Sequence, residues 1–247
     1  MCDRPSPGNF SIASPRKKAH YGRMAELAPS VLGADFSRIA DEIASADQAG
    51  INILHLDIMD GHFVPNISFG PAMVKTIDGL TDSFLDVHLM LSEPEKYFEA
   101  FARAGADAIT FHLEVHPEPT EYAERIRQLG VQTGISINPD NPVEKALPVL
   151  QHFDFFLIMS VYPGFGGQKF IPEALDKIRI ARRFIDEQGL KTKIMVDGGV
   201  DAGNAEEVAS AGADILVMGT AFFGAEDRSE LVRKVSGYGK LEGKRIK

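Results

Sequence analysis

The residues best equipped for chemistry in this chain stand two apart in an apolar run, His55-Leu56-Asp57-Ile58-Met59. Side chains alternate along a strand, so His55, Asp57 and Met59 share one face and Leu56 and Ile58 the other. A carboxylate amid so much apolar sequence is costly to bury unpaired. His88 and Met90 repeat the spacing, and Asp197 follows directly on Ile194-Met195-Val196. Two imidazoles and two carboxylates at the C-terminal ends of strands could converge on one divalent ion per chain. Zinc suits these donors best, and Fe(II), Mn(II) or Co(II) could occupy the same site. A His-x-Asp pair alone reads equally well as a satisfied core histidine with a structural partner. The addition of His88 and Asp197 at two more strand ends favours the metal. His112 also ends a strand, but nothing pairs with it by spacing, and it reads as structural or supporting. His20, His62, His116 and His152 lie in the leader or in loops and have no ligand case.

A second set is rich in glycine. Pro163-Gly164-Phe165-Gly166-Gly167-Gln168-Lys169-Phe170, Gly198-Gly199 and Gly219-Thr220 follow the sixth, seventh and eighth strand-like runs. Glycine lets backbone N–H groups approach an anion, and a helix end nearby adds partial positive charge. One such pair is ordinary turn chemistry; three on adjacent strand ends point to a phosphate. Met59, Met90 and Met159 read either as core gap-fillers or as a soft apolar shell over the metal.

These residues need a scaffold that brings eight strand ends to one place. Strand-like runs fall at 27–30, 53–57, 84–89, 108–111, 132–137, 155–159, 193–196 and 215–218. Helix-like runs alternate with them at 36–49, 71–77, 94–104, 119–129, 143–150, 172–188, 204–211 and 228–235. Such alternation favours a parallel sheet with both faces covered, and the chain length suits one TIM (β/α)₈ barrel. Gly50, Gly105, Gly130, Gly189 and Gly212 each stand between a helix-like run and the next strand, where a left-handed glycine ends the helix. The longer polar loops then lie at the opposite, C-terminal face, where barrels of this kind carry their active sites.

Residues 24–235 form the barrel domain in this reading, between a leader at 1–23 and a basic tail at 236–247. The leader has prolines and basic residues without apolar period and no h-region, so it reads as disordered. An organelle-targeting leader, or a true start at Met24, are the other readings; the cytoplasm is the expected location. The single cysteine, Cys2, excludes an intrachain disulfide framework. A net charge of −9 argues against a nucleic-acid or anionic-membrane surface, and no run approaches the ~20 apolar residues of a membrane span. A symmetric homo-oligomer is the usual assembly for such enzymes.

The chain resembles the ribulose-phosphate 3-epimerase family over roughly 25–235. The resemblance rests on Leu27-Ala28-Pro29-Ser30, the run from His55 to Asn66, Asp86-Val87-His88-Leu89-Met90, Met159-Ser160-Val161, the glycine run 163–170 and Val196-Asp197-Gly198-Gly199-Val200. It implies a barrel of the ribulose-phosphate-binding type and a place in the pentose phosphate pathway. It further implies that His55, Asp57, His88 and Asp197 bind the metal and that Asp57 and Asp197 exchange protons with substrate. Ser30 and His88 would contact that substrate, and Gly164, Phe165, Gly166, Gly167, Gly198, Gly199, Gly219 and Thr220 would hold or cover its phosphate end.

The chemistry is coherent in its own terms. Inverting a carbon beside a carbonyl needs a proton removed from one face and returned on the other, which two opposed carboxylates can do. A neighbouring cation would stabilise the ene-diolate between those steps. The expected reaction interconverts D-ribulose 5-phosphate and D-xylulose 5-phosphate. An epimerase of a six-carbon ketose 6-phosphate would keep every residue named, and a non-catalytic phosphosugar-binding barrel would not need both carboxylates. A metal-assisted decarboxylase or aldolase would need a lysine near Asp57, and none stands in an Asp-x-Lys-x-x-Asp arrangement.

Overall fold

The computed structural model describes residues 24–238. The expected leader at 1–23, and residues 239–247 of the expected tail, lie outside the described residues. Eight strands alternate with helices: β1 Glu26–Pro29, β2 Ile53–Met59, β3 Phe84–Met90, β4 Ala108–His112, β5 Gln132–Ile137, β6 Phe155–Met159, β7 Lys193–Asp197 and β8 Ile215–Met218. The α-helices are α1 Ile39–Gln48, α2 Pro71–Asp78, α3 Phe98–Ala104, α4 Pro119–Gln128, α5 Ala174–Gln188, α6 Ala205–Ala211, α7 Thr220–Phe223 and α8 Arg228–Ser236. The strands pair in parallel in the order β1-β8-β7-β6-β5-β4-β3-β2. A parallel bridge between Ser30 and His55 brings the last edges together and closes the barrel.

Every residue of β2 is buried, because its two faces meet different partners. Leu54, Leu56 and Ile58 pack outward into the large cluster beneath the helices. Each such side chain contributes about 1.5–3 kcal/mol by leaving water. The barrel interior is divided. Ala28, Phe155, Leu157, Met195, Ile215 and Val217 join one apolar cluster. His55, Asp57, Asp86, His88, Thr110 and His112 from β2, β3 and β4 are buried polar residues. This lopsided interior means that the polar half must satisfy itself internally.

The five glycines at the helix-to-strand joints behave as expected, with φ of +88° at Gly50, +105° at Gly105, +80° at Gly130, +63° at Gly189 and +123° at Gly212. The helix expected at 143–150 is different: two 3₁₀ segments, Val143–Lys145 and Leu147–His152, take its place. Pro148 has no N–H to donate and its ring opposes an α-helical turn before it, so the short, tighter geometry results. The loop after β8 holds the four-residue α7, which the pattern of apolar residues does not reveal. Tyr238 adds a carbonyl bond to Ala25 N at 3.1 Å, tying the described ends of the chain together. No helix among the described residues is long and apolar enough to cross a membrane.

Candidate active site

Asp57 is the hub of the polar interior. Parallel register sets it beside His88 on β3, while the closing bridge sets Ser30 beside His55. Asp57 Oδ1 lies 3.2 Å from His55 Nε2 and 3.1 Å from His88 Nδ1, and Oδ2 accepts from Ser30 Oγ at 2.5 Å. Asp197 arrives from β7, its Oδ2 4.0 Å from His55 Nε2. One ligand atom from each of His55, Asp57, His88 and Asp197 lies within 4.8 Å of all the others. The two imidazoles are wholly buried, whereas the Asp197 side chain keeps 15% exposure.

So dense a set of charges moves its own proton equilibria. Burial alone would depress the His55 pKa, but Asp57 and Asp86 outweigh it and hold the imidazolium well above the ordinary value. Burial would raise Asp57, yet His55 and His88 keep it ionised far below the usual carboxylate range. Burial pushes His88 down to about 4, against the pull of Asp57 and with His112 and His55 adding to the fall. Burial and the Asp57 charge push Asp197 up to about 7. Without a further cation the site therefore resists ionising both carboxylates. Two imidazole nitrogens and two carboxylate oxygens at these separations suit a divalent ion, which would relieve that conflict.

A cavity opens over this cluster. Ser30, Asp57, Asp197 and the three methionines Met59, Met90 and Met159 line it. Gly164, Phe165, Gly166 and Gly167 line it from the loop after β6, and Gly198, Gly199, Gly219 and Thr220 from the loops after β7 and β8. His55 and His88 do not reach the cavity wall; they lie beneath, behind Asp57. Among the described residues, no lysine lines the cavity.

Two loops owe their shape to specific contacts. Gly198 and Gly199 have φ of +116° and +65°, and a Cβ on them would sit 2.3 Å from Val161 Cγ2 and 2.3 Å from Phe170 N respectively. Ser160 Oγ donates to the carbonyls of Asp197 (2.9 Å) and Gly198 (2.6 Å), fixing the chain beside the carboxylate. Asn66 Nδ2 donates to Gly164 O at 2.7 Å, and Gln168 Nε2 to Tyr162 O (2.7 Å) and Phe165 O (2.9 Å). Phe165 itself is 55% exposed at the rim.

Sequence reasoning missed Asp86, whose Oδ2 lies 2.7 Å from His55 Nδ1. The alternation rule could have found it, since Asp86 precedes His88 by two residues on one strand. It also left His112 unpaired, whereas His112 Nε2 lies 2.9 Å from His88 Nε2. Asn66 and Ser160 act on backbone atoms of distant segments, for which spacing carries no signal.

A sequence model of the ribulose-phosphate 3 epimerase family matches residues 26–223. A ribulose-phosphate 3-epimerase of Synechocystis sp. is 49% identical over 211 residues, 85% of this chain and 92% of that protein. One of Bacillus subtilis is 44% identical over 215 residues, 87% of this chain and 99% of that protein. Among solved structures, 3-hexulose-6-phosphate synthase from Salmonella typhimurium superposes with a TM-score of 0.64 at 16% identity, covering 85% of this chain and 96% of its own. A tryptophan synthase α-subunit from Pyrococcus furiosus gives 0.63 at 18% identity, covering 87% and 98%. At that identity the last two show a shared barrel fold and nothing more.

Proposed function

Because the chain belongs to the ribulose-phosphate 3-epimerase family, we propose that it interconverts D-ribulose 5-phosphate and D-xylulose 5-phosphate by proton transfer between two carboxylates. The observation that carries the mechanism is the convergence of Asp57 and Asp197, from β2 and β7, on one cavity wall. Asp57 and Asp197 face the cavity from separate strands, so one carboxylate can take a proton from one face of the substrate while the other returns one to the opposite face. In the reverse direction the two exchange roles. Ser30 and the imidazoles hold the Asp57 carboxylate in one orientation, so that it does not rotate away from the reacting carbon.

His55, Asp57, His88 and Asp197 would hold a divalent ion, zinc being the best match to the donors. When bound, such an ion supplies positive charge beside the oxygen on which negative charge develops, and keeps the carboxylates ionised. Glycines 198 and 199, with Gly219 and Thr220, take the phosphate on backbone N–H groups. Phosphate anchoring sets the carbon between the carboxylates, and Met59, Met90 and Met159 keep water from the reacting end. Phe165 and the glycine run around it would close over the bound sugar.

The test is product identity. Purified protein is offered ribulose 5-phosphate and a six-carbon ketose 6-phosphate side by side, and epimer formation and deuterium uptake from solvent are followed by NMR. Faster inversion of the five-carbon sugar supports the assignment. Preference for the six-carbon sugar, or binding without exchange, overturns it.

A further inference from the structure

An imidazole ligates a metal only through the nitrogen that lacks hydrogen, and the groups behind the cluster decide which nitrogen that is. His55 Nδ1 faces Asp86 Oδ2 at 2.7 Å. An ionised carboxylate only accepts, so Nδ1 carries hydrogen and Nε2 is turned to Asp57 and Asp197. Asp86 is held in its turn, its Oδ1 accepting from Thr110 Oγ1 at 3.0 Å.

His88 presents the opposite edge. Its Nδ1 lies 3.1 Å from Asp57 Oδ1, and its Nε2 lies 2.9 Å from His112 Nε2. The ring centroids are 4.9 Å apart with their planes 27° from parallel, and at 2.9 Å one of the two facing nitrogens must donate. The other end of His112 settles which. His112 Nδ1 is buried and makes no hydrogen bond of normal geometry, but Glu114 Oε2 lies 3.4 Å away, within ion-pair reach. A proton on Nδ1 is what that carboxylate favours. In the metal-loaded protein, where His88 Nδ1 no longer shares a hydrogen with Asp57 Oδ1, His88 Nε2 donates and His112 Nε2 accepts.

Resting on the metal reading above, we propose that Asp86 and the His112–Glu114 pair are positioning residues that hold His55 and His88 in opposite tautomers. Nε2 of His55 and Nδ1 of His88 are thereby the nitrogens offered to a divalent ion. None of the three lines the cavity, so they act through the imidazoles and not on substrate. Carboxylates behind ligating histidines raise ligand basicity and fix ring orientation, and their loss costs about 10- to 100-fold in metal affinity.

The Glu114→Gln variant is discriminating because Glu114 Oε1 already accepts from Asn138 N at 2.8 Å and from Asn141 Nδ2 at 2.5 Å. Those two donors require the glutamine oxygen, which leaves its NH₂ facing His112 Nδ1. That donor would drive the His112 proton to Nε2 and the His88 proton to Nδ1. The full chain, labelled with ¹⁵N-histidine and loaded with zinc(II), is examined by long-range ¹H–¹⁵N NMR, and zinc affinity is measured by chelator competition. The parent should show Nδ1–H on His55 and His112 and Nε2–H on His88. E114Q should move the His112 and His88 protons and weaken zinc by about 10- to 100-fold. A mere packing role would lower thermal stability and leave the ring nitrogens alone. Parent tautomers other than these, or an E114Q chain with parental tautomers and zinc affinity, overturn the inference. If E114Q does not fold, the parent spectrum decides. A parent chain that takes up no zinc overturns the metal reading and this inference with it, whereas zinc uptake with other tautomers overturns this inference alone.

Discussion

Ser30 Oγ donates to Asp57 Oδ2 at 2.5 Å across the seam where the barrel closes. The other Asp57 oxygen faces both imidazoles, so the carboxylate is clamped on each side. A hydrogen bond to a charged group is worth about 1.5–3 kcal/mol. Ser30→Ala should therefore lower kcat/KM for ribulose 5-phosphate by about 10- to 100-fold with zinc content unchanged. Steady-state kinetics with metal analysis checks this; parental turnover would mean that the clamp is incidental.

The polar half of the barrel is fitted as closely as the apolar half. Thr110 and Gly134 are neighbours in the β4–β5 register, and a Cβ on Gly134 would stand 2.1 Å from Thr110 Oγ1 and 2.9 Å from its Cβ. Thr110 is β-branched and wholly buried, and it also holds Asp86. Gly134→Ala should destabilise the fold by about 1–3 kcal/mol, read from urea unfolding. An unchanged midpoint would show that the strands can part to admit a methyl group.

Proton linkage gives the metal a signature. Asp197 is raised to about 7 by burial and the Asp57 charge, and His55 is raised well above 6.5 by Asp57 and Asp86 against its burial. Both hold protons in the metal-free fold that zinc must displace. Zinc affinity should fall steeply as pH drops below 7, where protons on both Asp197 and His55 must be displaced, and less steeply above 7, where the Asp197 carboxyl is already ionised. The stability sign follows the same shifts. A raised group stabilises the metal-free fold below its unfolded pKa, and that contribution is lost as pH rises through the folded value. The gap in Tm between zinc-loaded and metal-free protein should accordingly widen from about pH 5.5 to 8. A gap that narrows over that range would contradict the assignment.

Much of this was legible in the sequence because a buried strand reports its faces by alternation. His55, Asp57 and Met59 read as one face, and β2 places them so. The glycine joints were legible too, since a left-handed residue at a helix end strongly favours glycine. What sequence could not give was contact between strands. Asp86 and His112 lie on the same inward face as His88, but only the register of β2, β3 and β4 shows what each meets. The 3₁₀ segments at 143–152 were missed because apolar spacing outweighed Pro148 in the reading, while in the structure the missing N–H prevails.

The two-carboxylate mechanism is tested most directly by Asp57→Asn and Asp197→Asn, each assayed for inversion, for exchange of the C3 proton with deuterated water, and for zinc content. Asparagine keeps the shape and an oxygen for the ion but cannot carry the proton. Each variant should lose ~10²- to 10⁴-fold in epimerisation. One of them should still exchange deuterium without inversion, because the remaining carboxylate can remove and return a proton on its own face. Should either variant retain its zinc and epimerise within about threefold of the parent, that aspartate is a ligand alone and the account of paired acid and base is wrong.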